Sequence, residues 1–302
     1  LTEVNQGLLA ERELARTEEL WFAAPDGAPV QGWLVRPPAG AASGDFDASE
    51  SPESASDSSP TATPLVLEIH GGPHAMWGPG EPSMWHEFQI LAAKGFAVFY
   101  CNPRGSNGYG RRHRMFIHNN WGFAEEQDFL SGVDVALAQG GLDPEQIVVT
   151  GGSYGGYMTA WLIARHDRFR AAVSQRGVYE LVAFSGSTDI PRFTEEIFET
   201  PTWRDPARLW HHSPLAYVEG IHTPLLILHA EQDYRAPIIG AEQLFSALKR
   251  LGREVTMVRY PREGHELSRS GEPKHRIDRL ERMAGWFGDV LGRSAVEPVA
   301  EG

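Results

Sequence analysis

The chain is 302 residues long, 41% hydrophobic and 22% charged, with a net charge of −13 and a single cysteine. That length can bury a substantial core in one large domain, while the acidic balance excludes a nucleic-acid surface, which needs a basic patch. Cys101 alone allows no internal disulfide and fits a reducing, cytoplasmic setting, and no apolar run reaches the ~20 residues that span a bilayer.

Residues 1–18 are polar with scattered leucines and read as a connecting arm with a short helix. Leu1 to Gln6 carry neither the basic nor the apolar part of a secretory signal and no initiator Met, as expected of a trimmed chain. Glu19-Leu20-Trp21-Phe22 reads as a strand, Pro25 to Pro29 as a hairpin turn, and Gln31 to Val35 as a second strand. Residues 38–64 are rich in Ser, Ala, Pro and acids (Asp45, Asp47, Glu50, Glu53, Asp57) and contain no Lys or Arg. Such a segment cannot offset its ordering entropy, so a disordered acidic insertion is expected there.

Beyond it, apolar runs predict strands at 65–70, 96–101, 146–151, 171–175, 224–230 and 254–259. Amphipathic stretches predict helices at 85–94, 123–139, 154–166, 237–251 and 273–291. Their alternation implies an α/β domain over 19–292, with a mostly parallel sheet, helices on both faces and the opening strands as an antiparallel edge. Residues 177–215 break the rhythm with aromatics and prolines. They are either an irregular insertion near the rim of a site or a packing excursion. Residues 293–302 form a tail, and no internal repeat is visible.

Gly151-Gly152-Ser153-Tyr154-Gly155-Gly156 follows the apolar run Ile147 to Thr150 and precedes a helical pattern. Strand, Gly-x-Ser-x-Gly, helix is the context of a nucleophile elbow, in which a strained serine projects its hydroxyl beyond the sheet. A serine hydroxyl needs an imidazole to take its proton and a carboxylate to orient that imidazole. On this fold the order is serine, acid, histidine, each past a strand's carboxyl end. Asp233 follows the strand ending at Ala230 and is the best-placed acid, with Glu231 as runner-up. His265 follows Gly264 just beyond the last strand and is the best-placed base. The oxyanion donors would be the Tyr154 N–H and one from His70-Gly71-Gly72-Pro73-His74, Gly72 favoured over Gly71. No Cys cluster, HExxH or post-strand GxGxxG is present, so no metal or organic cofactor is expected.

GGSYGGYM around Ser153, HGGPH at 70–74, NPRGSNGYG at 102–110, EQDYRAP at 231–237 and EGHELSRSGEP at 263–273 resemble the prolyl oligopeptidase family of serine peptidases, nearest its acylaminoacyl-peptidase branch. The resemblance covers about residues 15–291. It implies an α/β-hydrolase domain that cleaves short peptides, with Ser153, Asp233 and His265 as triad and Tyr154 with the His-Gly-Gly loop as oxyanion hole. It also implies an N-terminal β-propeller, for which this chain has no room. Acyl-peptide release, carboxypeptidase action, ester hydrolysis and a silent interaction domain remain open alternatives, as does a homo-oligomer. A free C-terminus would call for an arginine. Arg235, Arg176 and Arg104 are the first candidates, with Arg192 and Arg262 behind them. Trp77, Phe184, Phe193, Phe198 and Trp203 are candidates for the wall of an apolar pocket.

Overall fold

The computed structural model describes residues 4–39, 41 and 62–292. The acidic insertion expected at 38–64 lies largely outside the described residues, and the tail at 293–302 lies wholly outside them. Eight strands form one sheet: β1 (Arg16–Ala23), β2 (Pro29–Arg36), β3 (Thr63–Ile69), β4 (Ala97–Asn102), β5 (Leu142–Gly152), β6 (Ala171–Gln175), β7 (Leu225–Ala230) and β8 (Val255–Tyr260). Their order is β1-β2-β4-β3-β5-β6-β7-β8, antiparallel where β2 meets β1 and β4 and parallel elsewhere.

Side chains on a strand alternate between faces, and the core divides accordingly. Leu65, Leu67 and Ile69 of β3 join Phe99, Val149 and Ile227 on one face, whereas Val66 joins Val98, Val148 and Leu226 on the other. The helices are α1 (Gln6–Ala10), α2 (Trp85–Ala93), α3 (Arg111–Arg114), α4 (Glu126–Ala138), α5 (Tyr154–Arg165), α6 (Leu181–Ser187), α7 (Phe193–Phe198), α8 (Pro206–His211), α9 (Ile239–Arg250), α10 (Leu267–Ser270) and α11 (Pro273–Val290). α4, α5 and α9 cover the first face, and α2 and α11 the second. α9 buries Ala241, Leu244 and Leu248, and α11 buries Leu280, Met283, Ala284 and Phe287, each along the stripe of a one-sided helix. α5 is buried on nearly every side, from Tyr154 to Ile163, because it lies between the sheet and the segment after β6.

Two expectations move. β5 begins at Leu142 rather than 146, ahead of Pro144, because Thr63 pairs with Leu142 before a shift in register brings Leu65 opposite Ile147. β1 begins at Arg16, inside the expected arm, and Gln89 of α2 anchors both the amide and the carbonyl of Ala15. The irregular stretch after β6 resolves into α6, α7 and α8, whose neighbouring loops and aromatics reach the site described next.

Candidate active site

Five segments leave the carboxyl ends of β3, β5, β6, β7 and β8 and meet over the sheet, at the crevice where the strand order reverses. Ser153 sits between β5 and α5 at φ 63° and ψ −117°. A β-carbon resists that left-handed φ, and such a residue persists only where its surroundings over-determine it, at roughly 1–3 kcal/mol. Here Ser153 N donates to Gln175 O at 2.9 Å and Ser153 O accepts from Tyr157 N at 3.0 Å. A β-carbon on Gly155 would stand 2.0 Å from Ile69 O, so the elbow presses its backbone against the end of β3.

His265 Nε2 lies 2.9 Å from Ser153 Oγ, and His265 Nδ1 lies 2.8 Å from Asp233 Oδ2. The Asp233 carboxylate is fully buried, and its Oδ1 accepts from the amides of Arg235 at 3.0 Å and Ala236 at 2.8 Å. Those amides fix the carboxylate, which in turn selects the imidazole tautomer with its free nitrogen toward the serine. The His265 side chain stays 13% exposed, so that nitrogen is reachable from the cavity. Glu231, the other acid considered, is bound to Arg259 at 3.1 Å on the surface. His229 braces the acid loop from below by donating to Ala236 O at 2.7 Å, and burial pushes its pKa down.

The loop after β3 is held by His70. Burial pushes this imidazole down to about 4, so at neutral pH it is uncharged. Its Nδ1–H donates to Gly71 O at 2.7 Å, and its Nε2 accepts from the Ser106 hydroxyl at 2.9 Å. Across a trans peptide the C=O and the following N–H point in opposite directions. Latching Gly71 O toward His70 therefore turns the Gly72 N–H to the other side. Gly72 lines the cavity together with Gly71, Ser153 and Tyr154, and His70 does not. Among the described residues neither the Gly72 nor the Tyr154 amide donates to a backbone carbonyl. The Tyr154 phenol donates to Glu125, which also accepts from Gly122 N at 3.0 Å. Burial pushes the Glu125 carboxyl up to about 8.

The cavity over these groups has a volume of about 450 Å³. Trp77, Trp121, Phe184 and Phe193 supply its apolar wall. Phe198 instead packs behind Trp121 at 5.9 Å between ring centroids, and Trp203 stands 79% exposed at a separate surface groove that Arg192 also lines. Of the candidate arginines, Arg235 and Arg176 line the cavity. Arg235 is bound to Asp189, its Nε 2.5 Å from Oδ1. Arg104 does not line it, which corrects the expectation. Its guanidinium is buried against Asp128 (Nη2 to Oδ1 2.6 Å), reaches Asp26 and lies over the Phe116 ring, so it ties the loop after β4 to α4. Arg262 is on the surface, paired with Glu272.

Sequence reasoning missed the His70 latch and the Glu125 contact to Tyr154, although the His-Gly-Gly motif contained the first. It also passed over Glu263, Glu272 and His275, whose ligand-capable atoms lie within 4.8 Å of one another. Those groups are engaged already, His275 with Glu263 at 2.7 Å and Glu272 with Arg262 at 2.8 Å.

A profile of the prolyl oligopeptidase family matches residues 82–294. The chain belongs to that family. The uncharacterized peptidase YuxL of Bacillus subtilis (strain 168) is 43% identical over 293 residues, 96% of this chain and 42% of that protein. The acylamino-acid-releasing enzyme of Arabidopsis thaliana is 32% identical over 233 residues, 74% of this chain and 30% of the plant protein. The solved acylaminoacyl peptidase of Pyrococcus horikoshii superposes with a TM-score of 0.85 at 27% identity, covering 100% of this chain and 45% of that one. The sheet order and helix layers described above are those of an α/β-hydrolase, as the motifs led one to expect. The chain spans less than half the length of each of these relatives. Among the described residues no helix is long and apolar enough to cross a membrane.

Proposed function

We propose that this chain is the catalytic domain of a serine peptidase that releases N-acylated amino acids or short acyl peptides. The observation that carries the reading is the continuous Asp233–His265–Ser153 chain, at 2.8 and 2.9 Å, ending on a strained serine inside an apolar-walled cavity. Ser153 Oγ attacks the scissile carbonyl while His265 Nε2 takes its proton, and the oxyanion forms against the amides of Tyr154 and Gly72. The C–N bond then breaks as His265 returns that proton to the leaving amine, and the acyl group remains as an ester on Ser153. Water activated by the same imidazole hydrolyses the ester and restores the enzyme.

Preference for a blocked N-terminus is supported by the acyl-releasing relatives. The single cysteine, Cys101, is buried and fits a cytoplasmic setting. The test is fluorophosphonate labelling followed by turnover of paired peptides with acetylated and free N-termini. Labelling at Ser153 with faster cleavage of the acetylated member is the expected result. Labelling with equal or reversed preference removes the acyl-peptide reading, and hydrolysis of simple esters alone would make the chain an esterase.

A further inference from the structure

Glu125 is a buried carboxyl that the proposed chemistry leaves unused. It stands immediately before α4 and is 1% exposed. One of its oxygens accepts both from the Tyr154 phenol and from Gly122 N, the latter at 3.0 Å. The other oxygen is buried without a hydrogen-bond partner. Its charged neighbours on α4 are acids as well, Glu126 and Asp128, but Arg165 answers the first at 2.9 Å and Arg104 the second at 2.6 Å. From α5 it faces the phenols of Tyr154 and Tyr157. Burial pushes its pKa up to about 8, so at neutral pH the group is mostly protonated.

What this carboxyl holds is a wall of the cavity and the first residue of α5. Tyr154 follows the nucleophile and carries an oxyanion amide, and both it and Trp121 line the cavity. The Trp121 ring meets the Tyr154 ring edge-on at 4.8 Å between centroids, and the Phe193 ring at 5.6 Å. The turn that carries Trp121 is fixed by the same oxygen, through the amide of the next residue, Gly122. Gly122 has φ 80°, and a β-carbon there would stand 2.4 Å from the Trp161 indole, so this turn is pressed against α5. A single carboxyl oxygen therefore joins the start of α4, the Trp121 turn and the residue after the nucleophile.

Resting on the peptidase reading above, we propose that Glu125 is a positioning residue that sets the Tyr154 oxyanion amide and the Trp121 wall, and that it does so in its uncharged form. Ionised, it would put a third anion beside Glu126 and Asp128, in a low dielectric, behind the amide on which the oxyanion forms. Like charge opposes that oxyanion more than it opposes a neutral bound substrate, so the loss falls on kcat rather than on KM.

The test follows two rates across the neutral and alkaline range. One is turnover of an acetyl-Phe anilide, with kcat taken per serine labelled at completion. The other is the rate of Ser153 labelling by a fluorophosphonate, whose adduct sets an oxygen against the same amides. Both are expected to fall about three- to tenfold as pH rises through about 8, with KM little changed. Glu125→Leu deletes the acceptor, and kcat drops about ten- to a hundredfold at every pH. Glu125→Gln restores an acceptor for Tyr154 and Gly122 but cannot ionise, so it recovers most of that rate and shows no alkaline fall. Tyr154→Phe removes the phenol and keeps the amide, and combined with Glu125→Leu it should lose no more than either change alone.

An alkaline fall in Glu125→Gln equal to that of the wild-type chain overturns the proposal, as do additive losses in the double variant. So does a Glu125→Leu chain that loses stability in urea but no kcat per labelled serine, which would mark a purely structural role. Labelled Ser153 with no turnover of the anilide would remove the peptidase reading itself, and the labelling rates would still decide the role of Glu125.

Discussion

Replacing His70 by phenylalanine keeps a ring against Trp77, 5.7 Å away between centroids, and deletes two hydrogen bonds. Gly71 O loses its donor and the Ser106 hydroxyl its acceptor, so the Gly71–Gly72 peptide is free to rotate. An oxyanion donor in full position contributes about 2.7–4 kcal/mol to the transition state, or ~10²–10³ in kcat. A donor that is mobile rather than absent should lose part of that, so kcat is expected to fall by about ten- to a hundredfold. KM should change little, because the ground-state carbonyl depends less on this amide than the oxyanion does. Two buried groups left unpaired cost roughly 1–3 kcal/mol each in stability, which urea unfolding would record separately. The assay is steady-state hydrolysis of an acyl-peptide anilide, normalised to fluorophosphonate-labelled serine. His70→Asn, which can place an N–H near the Gly71 carbonyl, should recover part of the rate. Unchanged kcat in His70→Phe with fully labelled enzyme would refute the latch and return the second donor to Gly71 or to neither.

Four further outcomes follow from named contacts. Asp233→Asn should lower kcat by about 10⁴-fold with the fold retained, since the buried carboxylate fixes the His265 tautomer; the check is single-turnover acylation. Gly155→Ala sets a β-carbon 2.0 Å from Ile69 O, backbone against backbone, and should destabilise the chain by more than about 4 kcal/mol in urea unfolding. His70 has a folded pKa of about 4, below its unfolded value of ~6.5, so the unfolded state binds more protons between them. Its contribution is complete above pH ~6.5 and is lost as pH falls toward 4, at most about 3 kcal/mol, and in His70→Phe this part of the acid unfolding curve should flatten. Arg279→Met leaves the buried Glu87 carboxylate without the guanidinium now 2.7 Å away and should destabilise by roughly 3–5 kcal/mol; Arg279→Met with Glu87→Gln should recover much of it.

The three residues proposed as a triad were legible as a group because each lies in the loop just past an apolar run, and strand ends are where this class of sheet gathers its chemistry. Ser153, Asp233 and His265 needed no tertiary information beyond that rule. The arginines did need it. Arg104 and Arg176 both follow a β-strand by one or two residues, and nothing local separates them. What separates them is Asp128, which lies 24 residues beyond Arg104 and reaches it only once α4 packs across the sheet. Arg176 meets no such acid. The early start of β5 was hidden for a local reason, because Pro144 reads as a strand breaker and a register shift makes it tolerable. Glu125 was invisible as a partner of Tyr154, since a carboxyl in the first turn of a helix ordinarily reads as a solvated, dipole-matching residue.

The strain at Ser153 is held from beneath by residues remote in sequence. Gln175 O accepts from the Ser153 amide, and the Gln175 side chain is clamped by Arg279 at 2.6 Å, Thr150 at 3.2 Å and Glu87 at 3.3 Å. Glu68 lies in the same buried layer. Burial, and next the charge of Glu87, pushes its carboxyl well above the usual carboxylate range. The ion pair between α2 and α11 thus braces the residue at the end of β6 whose carbonyl accepts from the Ser153 amide. The elbow motif names the serine, but its geometry depends on the chain closing Arg279 over Glu87, 192 residues apart. A buried charge pair, weak as a source of net stability, thus has a place beneath the strained Ser153.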